Sequence, residues 1–232
     1  MNHLLLFAEN DDPMVGIIAV GVAVVVVTVI IVLSRRYERN RKESLAEIAR
    51  ANDLELVADE DGVHRARVEG FKLGNVGRGR RLKNVISGAW AGEDLMFCDY
   101  RYTTGHGKHS SRHSLSILFL SLDRPCPDLI MGPEGVFSKV AQAFGAKDID
   151  FLTHPEFSKS FILRGEDEDA IRERFDFDLL EFFEPWRGVS LEVSGGELAY
   201  YRNNKRCKPE LLDAFIEEGL ALKAAFDGKP RS

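Results

Sequence analysis

The chain has 232 residues, 44% apolar and 29% charged, with a formal net charge of −6. That balance excludes a disordered chain, and the acidic surplus argues against a nucleic-acid-binding protein. The three cysteines, Cys98, Cys126 and Cys207, are odd in number and widely spaced, with no CxxC. A disulfide framework and a zinc ribbon are therefore not expected, and the pattern suits a reducing compartment.

The first element in the chain is an uncharged stretch. Residues 14–33 read MVGIIAVGVAVVVVTVIIVL, interrupted only by Gly16, Gly21 and Thr28. Twenty helical residues rise about 30 Å, the thickness of a bilayer's hydrocarbon core. A signal peptide would want a basic leader and a shorter apolar run. Here Glu9, Asp11 and Asp12 precede the run. Pro13 suits a first helical turn, and the aspartates suit its dipole. The two glycines are five apart, so no GxxxG dimerisation face is signalled. Arg35, Arg36, Arg39, Arg41 and Lys42 follow, opposed by Glu38. Positive flanks stay cytoplasmic. The expectation is a single-pass protein of the inner (cytoplasmic) membrane, with residues 1–13 as a short extracytoplasmic tail and everything after Ser34 in the cytosol. The five basic residues are predicted to face anionic headgroups.

Residues 34–53 read as a basic juxtamembrane stalk helix, with Leu45, Ile48 and Ala49 on one side and Asn52-Asp53 ending it. Residues 54–57 are expected as a first strand and 59–62 as a turn. The glycine-rich 71–92 suggests two short strands around a loop at 77–81. Residues 94–102 and 114–122 form the strongest predicted strand pair. The second is apolar on both faces, which places it centrally. The segment between them, 103–113, reads as a long polar loop. A helix is expected over 133–144, a strand over 157–163, and a helix over 166–175 opened by Glu166-Asp167-Glu168-Asp169. Residues 178–183 read as a second helical piece. Residues 189–193 and 198–202 alternate around Gly195-Gly196, a two-residue hairpin. A closing helix over 209–226 would bury Leu211, Leu212, Phe215, Ile216 and Leu220. Antiparallel hairpins mixed with single helices predict a cytosolic α+β domain over 54–227, whole or in halves near 54–145 and 146–227, with 228–232 as a tail.

The stretches FCDYRYTTGHGKHS, DIDFLTHPEFSKSFILRGEDEDAIRERF and VSLEVSGGELAYYR, in that order, resemble an uncharacterised bacterial family of membrane-anchored proteins with a cytosolic domain of unknown function. The resemblance covers about two thirds of the cytosolic part. It implies placement and fold, and it carries no activity, cofactor or catalytic residue.

The candidate chemistry is sparse. TGHGKHSS at 104–111 lacks the upstream glycine and the following Ser or Thr of a phosphate loop, and it leads into a strand. His106, His109 and His113 crowd one segment and could share a metal if the loop curls, with Asp99 or Cys98 adding a ligand. Asp148, Asp150, His154 and Glu156 lie close in sequence, but no nucleophile or recognised motif accompanies them. No catalytic residue and no cofactor is assigned. Arg78, Arg80, Arg81 and Lys83 form a basic segment that could face anionic lipid or an acidic partner. Five basic and four acidic residues precede Glu43, which leaves 26 basic against 33 acidic of the total 31 and 37. Nucleic acid is therefore not expected as a partner. The leading reading is a membrane-tethered interaction or scaffold module without catalysis, holding an unknown protein partner. The alternatives are a metal-assisted hydrolase using His106, His109 and His113, and an inner-leaflet lipid-binding domain using Arg78, Arg80 and Arg81.

Overall fold

The computed structural model describes residues 13–57, 62–133 and 147–229. The chain divides into two units, Met1–Ser44 and Leu45–Ser232. Helix α1 spans Pro13–Ala51. Within the first unit its valines and isoleucines are exposed, and no part of the apolar window is buried. Among the described residues this is one helix long and apolar enough to cross a membrane. Thr28 Oγ1 donates to the Val24 carbonyl at 2.8 Å, so the one hydroxyl in the run is satisfied within the helix.

The second unit grows from alternating apolar residues in long strands. The strands are β1 (Glu55–Leu56), β2 (Arg78–Trp90), β3 (Glu93–Thr104), β4 (Ser111–Ser121), β5 (Leu129–Pro133), β6 (Phe161–Gly165), β7 (Ser190–Ser194) and β8 (Glu197–Tyr201). They form one eight-stranded sheet in the order β1-β2-β3-β4-β8-β7-β5-β6, with every pairing antiparallel. The helices are α2 (Gly62–Glu69), α3 (Lys72–Asn75), α4 (Pro155–Ser160), α5 (Glu168–Arg174), α6 (Phe177–Phe183) and α7 (Leu212–Phe226). This is a mixed α+β fold, as the order of hairpins and single helices predicts.

Both faces of the sheet are covered. Leu95, Phe97, Leu118, Leu120, Leu198 and Tyr200 point to one face. There they meet the apolar sides of α4 to α7, together with Leu45 and Ala49 at the end of α1. Met96, Cys98, Ile117, Phe119, Ala199 and Tyr201 point to the other, under Val68, Phe71 and Leu73 of the α2–α3 segment. β4 is apolar on both sides because it is central, as expected. On the first face Phe157 sits among aromatic rings. Its centroid lies 5.4 Å from Phe161, 5.8 Å from Phe151 and Phe175, and 6.3 Å from Phe183. Lys223 ties α7 to the strand ends through Asp227 at 2.7 Å, Asp123 at 2.9 Å and Glu93 at 3.3 Å.

Several sequence expectations hold. The β3–β4 pair, the α5 and α6 helices and the β7–β8 hairpin fall where predicted, with Gly195 and Gly196 at φ of 57° and 81°. Others are corrected. The segment 71–92 is the short helix α3 followed by one 13-residue strand. The strand has two internal irregularities, register slips between Arg78 and Arg81 and at Asn84, and no loop. Asn84 takes φ of 50° and the register slips between Lys83 and Ile86. The extra residue lets Leu82 and Val85 share one face while Ile86 turns to the other. The polar segment 103–113 is mostly strand, leaving a short turn over 105–110. Residues 155–160 form a helix before strand β6, because Pro155 starts a turn that the apolar run concealed. Leu211 is 52% exposed, since the closing helix starts with a 3-10 turn, Pro209–Leu211. β5 and α2 were not anticipated, and Pro133 ends a strand. The rest of the helix expected over 133–144, most of the turn expected over 59–62 and the tail before Pro13 lie outside the described residues.

Truncating Phe157 to alanine removes the ring shared by four neighbours. A loss of about 3–5 kcal/mol is expected. Denaturant unfolding of the detergent-solubilised chain, followed by near-ultraviolet circular dichroism, measures it. A loss below about 1 kcal/mol would show that the cluster closes over the gap.

Candidate functional site

Helices α6 and α7 border an open groove of about 1190 Å³. Leu179 and Phe182 from α6 and Leu220 and Ala224 from α7 give it an apolar lining. Ala221 and Ala225 keep the surface of α7 low there. Asp176, Asp178, Glu181 and Glu217 bring carboxylates to the same space. Local folding explains part of this. Asp176 caps α6, its carboxylate accepting from Leu179 N at 2.9 Å. Asp178 sits in the helix's first turn, where the dipole favours it. Arg124 and Lys229 also line the groove, and Lys229 is held by Asp123 at 2.6 Å. The cleft thus presents apolar and polar surface in like measure, with a surplus of negative charge. It suits an amphipathic polypeptide segment bearing lysine or arginine.

The predicted metal residues are not gathered into one set of ligands. His113 stands on β4, stacked at 4.7 Å on Tyr102. Its Nε2 lies 2.8 Å from Thr104 Oγ1 and its Nδ1 2.8 Å from Asn204 Oδ1. His106 precedes the exposed turn Gly107–His109, and His109 is its last residue. Among the described residues, no group of three or more His, Cys, Asp or Glu is arranged to hold a metal. Asp148, His154 and Glu156 are each engaged separately. Asp148 accepts from Leu163 N at 2.8 Å, Glu156 pairs with Lys159 at 2.9 Å, and the His154 ring meets Phe177 edge-on at 4.9 Å.

The predicted lipid-facing residues fall in two places. Arg35, Arg36, Arg39 and Lys42 are exposed on α1, and Arg41 is buried. Arg78, Arg80 and Arg81 lie at the start of β2. Arg78 donates to the Gly105 carbonyl, and Arg80 to the Gly74 carbonyl at 2.9 Å, so these arginines clasp neighbouring turns as well as carrying charge.

Two buried carboxylates act as anchors, and the second, Glu192, escaped the sequence reading. Asp99, on β3, accepts from Asn84 Nδ2 at 2.8 Å, Ser116 Oγ at 2.7 Å and Arg206 Nη2 at 2.9 Å. It fastens the 203–208 segment to the sheet. Glu192, on β7, is 1% exposed and accepts from the backbone N–H of Lys72 and of Leu73, the latter at 3.1 Å. Burial pushes its carboxyl up to about 7, against the pull of those two donors. The available signal was a lone acid within the apolar pattern SLEVS.

No protein-family model matches the sequence, and no curated protein matches it significantly. The fold does have a solved counterpart. It is similar to the crystal structure of the mycobacterial trehalose monomycolate transport factor A, TtfA. The TM-score is 0.57 at 12% identity, over 84% of this chain and 98% of that one. The two proteins share a fold.

Glu192 makes a pH-dependent contribution whose sign is fixed. Its folded pKa lies above the usual 4.5, so it favours the fold below that pH and loses its contribution as pH climbs through about 7. Relative to a Glu192→Gln variant, the chain is expected to lose about 3 kcal/mol between those limits. Paired denaturation curves across pH 4.5–7 test this. A difference that stays flat would mean that the carboxylate is stabilised as well in the sheet as in water.

Proposed function

We propose that this chain is a membrane-tethered, non-catalytic accessory factor for a transport process at the inner membrane. Its folded domain would hold a protein partner in the groove between α6 and α7. The observation that carries this reading is the fold shared with TtfA over nearly all of that chain. The printed name of that neighbour is a transport factor. The apolar helix α1 supports the tether, with residues 14–33 as the span and 34–53 as a stalk. The basic flank after Leu33 supports an N-terminus outside and a domain over 54–227 in the cytosol. The groove supports binding over chemistry. It offers apolar surface and carboxylates, which recognise a basic amphipathic segment of the partner.

Three measurements test the reading. Full-length chain is expected in the carbonate-resistant membrane fraction, and a chain lacking residues 1–42 in the soluble one. Recovery of the full chain without detergent would remove the tether. A reporter at the C-terminus is expected to be active in the cytosol, and activity only outside would invert the topology. A photo-crosslinking amino acid at Ala221 or Ala224 is expected to capture a discrete membrane-protein partner, which Glu181→Lys/Glu217→Lys weakens. Equal capture by this variant would mean that the carboxylates play no part.

A further inference from the structure

One end of the sheet gathers ten of the 26 lysines and arginines found from Glu43 onward. β3 and β4 stay paired as far as Thr104 with Ser111, but β4 pairs with β8 only from Ile117 to Ser121. Residues 111–116 therefore extend past β8 with the facing parts of β3 and β2, about 20 Å of three-stranded ribbon at roughly 3.3 Å per residue. The 203–208 segment runs along this ribbon. Ser116 N donates to the Lys205 carbonyl at 3.1 Å, and Cys207 N donates to Ser116 Oγ at 2.9 Å. Residues 76–83, 99–116 and 203–208 together hold ten lysines and arginines and one carboxylate, Asp99. That carboxylate is buried and already bonded. From Glu43 onward the chain as a whole is acidic, so this end of the domain opposes the rest.

The register sharpens the point. Arg81 of β2 stands directly opposite Arg101 of β3, and Arg112 of β4 stands opposite Thr103 on the same face. The register thus brings three arginines to one face of the ribbon. Lys108 lies in the exposed 105–110 turn. That turn carries no large apolar side chain, so contact there is electrostatic and at the surface.

We infer that this ribbon end is a docking surface for an anionic phospholipid bilayer, the leaflet beneath the cytosolic domain. The inference rests on the tether proposed above, and it adds a second, peripheral contact to it. A bilayer is favoured over other polyanions because the chain's own apolar helix places anionic headgroups at high local concentration. No steep affinity is then required of the ribbon, and its attraction falls within a Debye length of the surface.

The test uses the full chain in nanodiscs, either of phosphatidylcholine alone or of equal phosphatidylcholine and phosphatidylglycerol. Amide hydrogen exchange is read over 103–113. Slower exchange is expected in the anionic discs, with the protection lost at about 0.5 M NaCl. It is also expected to be lost in Arg81→Gln/Arg101→Gln/Arg112→Gln. A second variant, Lys108→Gln/Lys205→Gln/Lys208→Gln, changes exposed residues alone and is expected to lose it too, which guards against a ribbon that merely misfolds. Equal exchange in the two discs overturns the inference while leaving the tether intact. Failure of the chain to enter discs at all overturns both. Protection of the same amides by single-stranded RNA in neutral discs, with none from anionic lipid, overturns it in favour of nucleic acid.

Discussion

A sheet covered on both faces must satisfy its backbone from within, and that constraint shapes the second unit. The central parts of β3, β4 and β8 lie between two apolar layers, which exclude water from both sides of their ladders there. Each backbone donor there needs a strand partner, because an unpaired buried amide costs as much as a lost hydrogen bond. The antiparallel order supplies those partners, through short turns for β2–β3, β3–β4 and β7–β8 and across a long connection for β4–β8. The helices then do what the sheet cannot. The aromatic residues of α4 to α6 and the apolar side of α7 seal one face, and the small α2–α3 segment seals the other.

Polar groups inside this frame serve as fasteners. Lys223 is pulled down by burial, yet three carboxylates hold its pKa above the usual value. Asp123, between Lys229 and Lys223, is held down to about 2. Together they join the C-terminal end of α7 to the ends of β3 and β4. Glu192 joins β7 to the start of α3 and remains a strained partner, since its charged form is poorly solvated. Asp99 joins β2, β3, β4 and the 203–208 segment at one point. These acids fasten one element of the fold to another.

What remains available to partners is sorted by charge. The groove of α6 and α7 gathers carboxylates around an apolar lining. The ribbon end gathers lysine and arginine with almost no apolar surface. In the reading proposed above, the first would receive a helical segment of a partner and the second a diffuse anionic surface.

The local chemistry of the chain determined a good deal unaided. An uncharged stretch followed by arginines specified a long apolar helix, because length and charge decide that without tertiary help. Alternation specified β3, β4 and the glycine-turned hairpin, and acidic starts specified α5 and α6. The tertiary structure decided the rest. A bulge at Asn84 kept one strand where glycine and arginine suggested two, since its pairing with β3 outweighed weak local preference. Pairing likewise absorbed most of the polar 103–113 segment. The groove, the Asp99 and Glu192 anchors and the basic ribbon join residues as far apart as Lys72 and Glu192. No spacing along the chain encodes such neighbours, because only the register of the sheet brings them together.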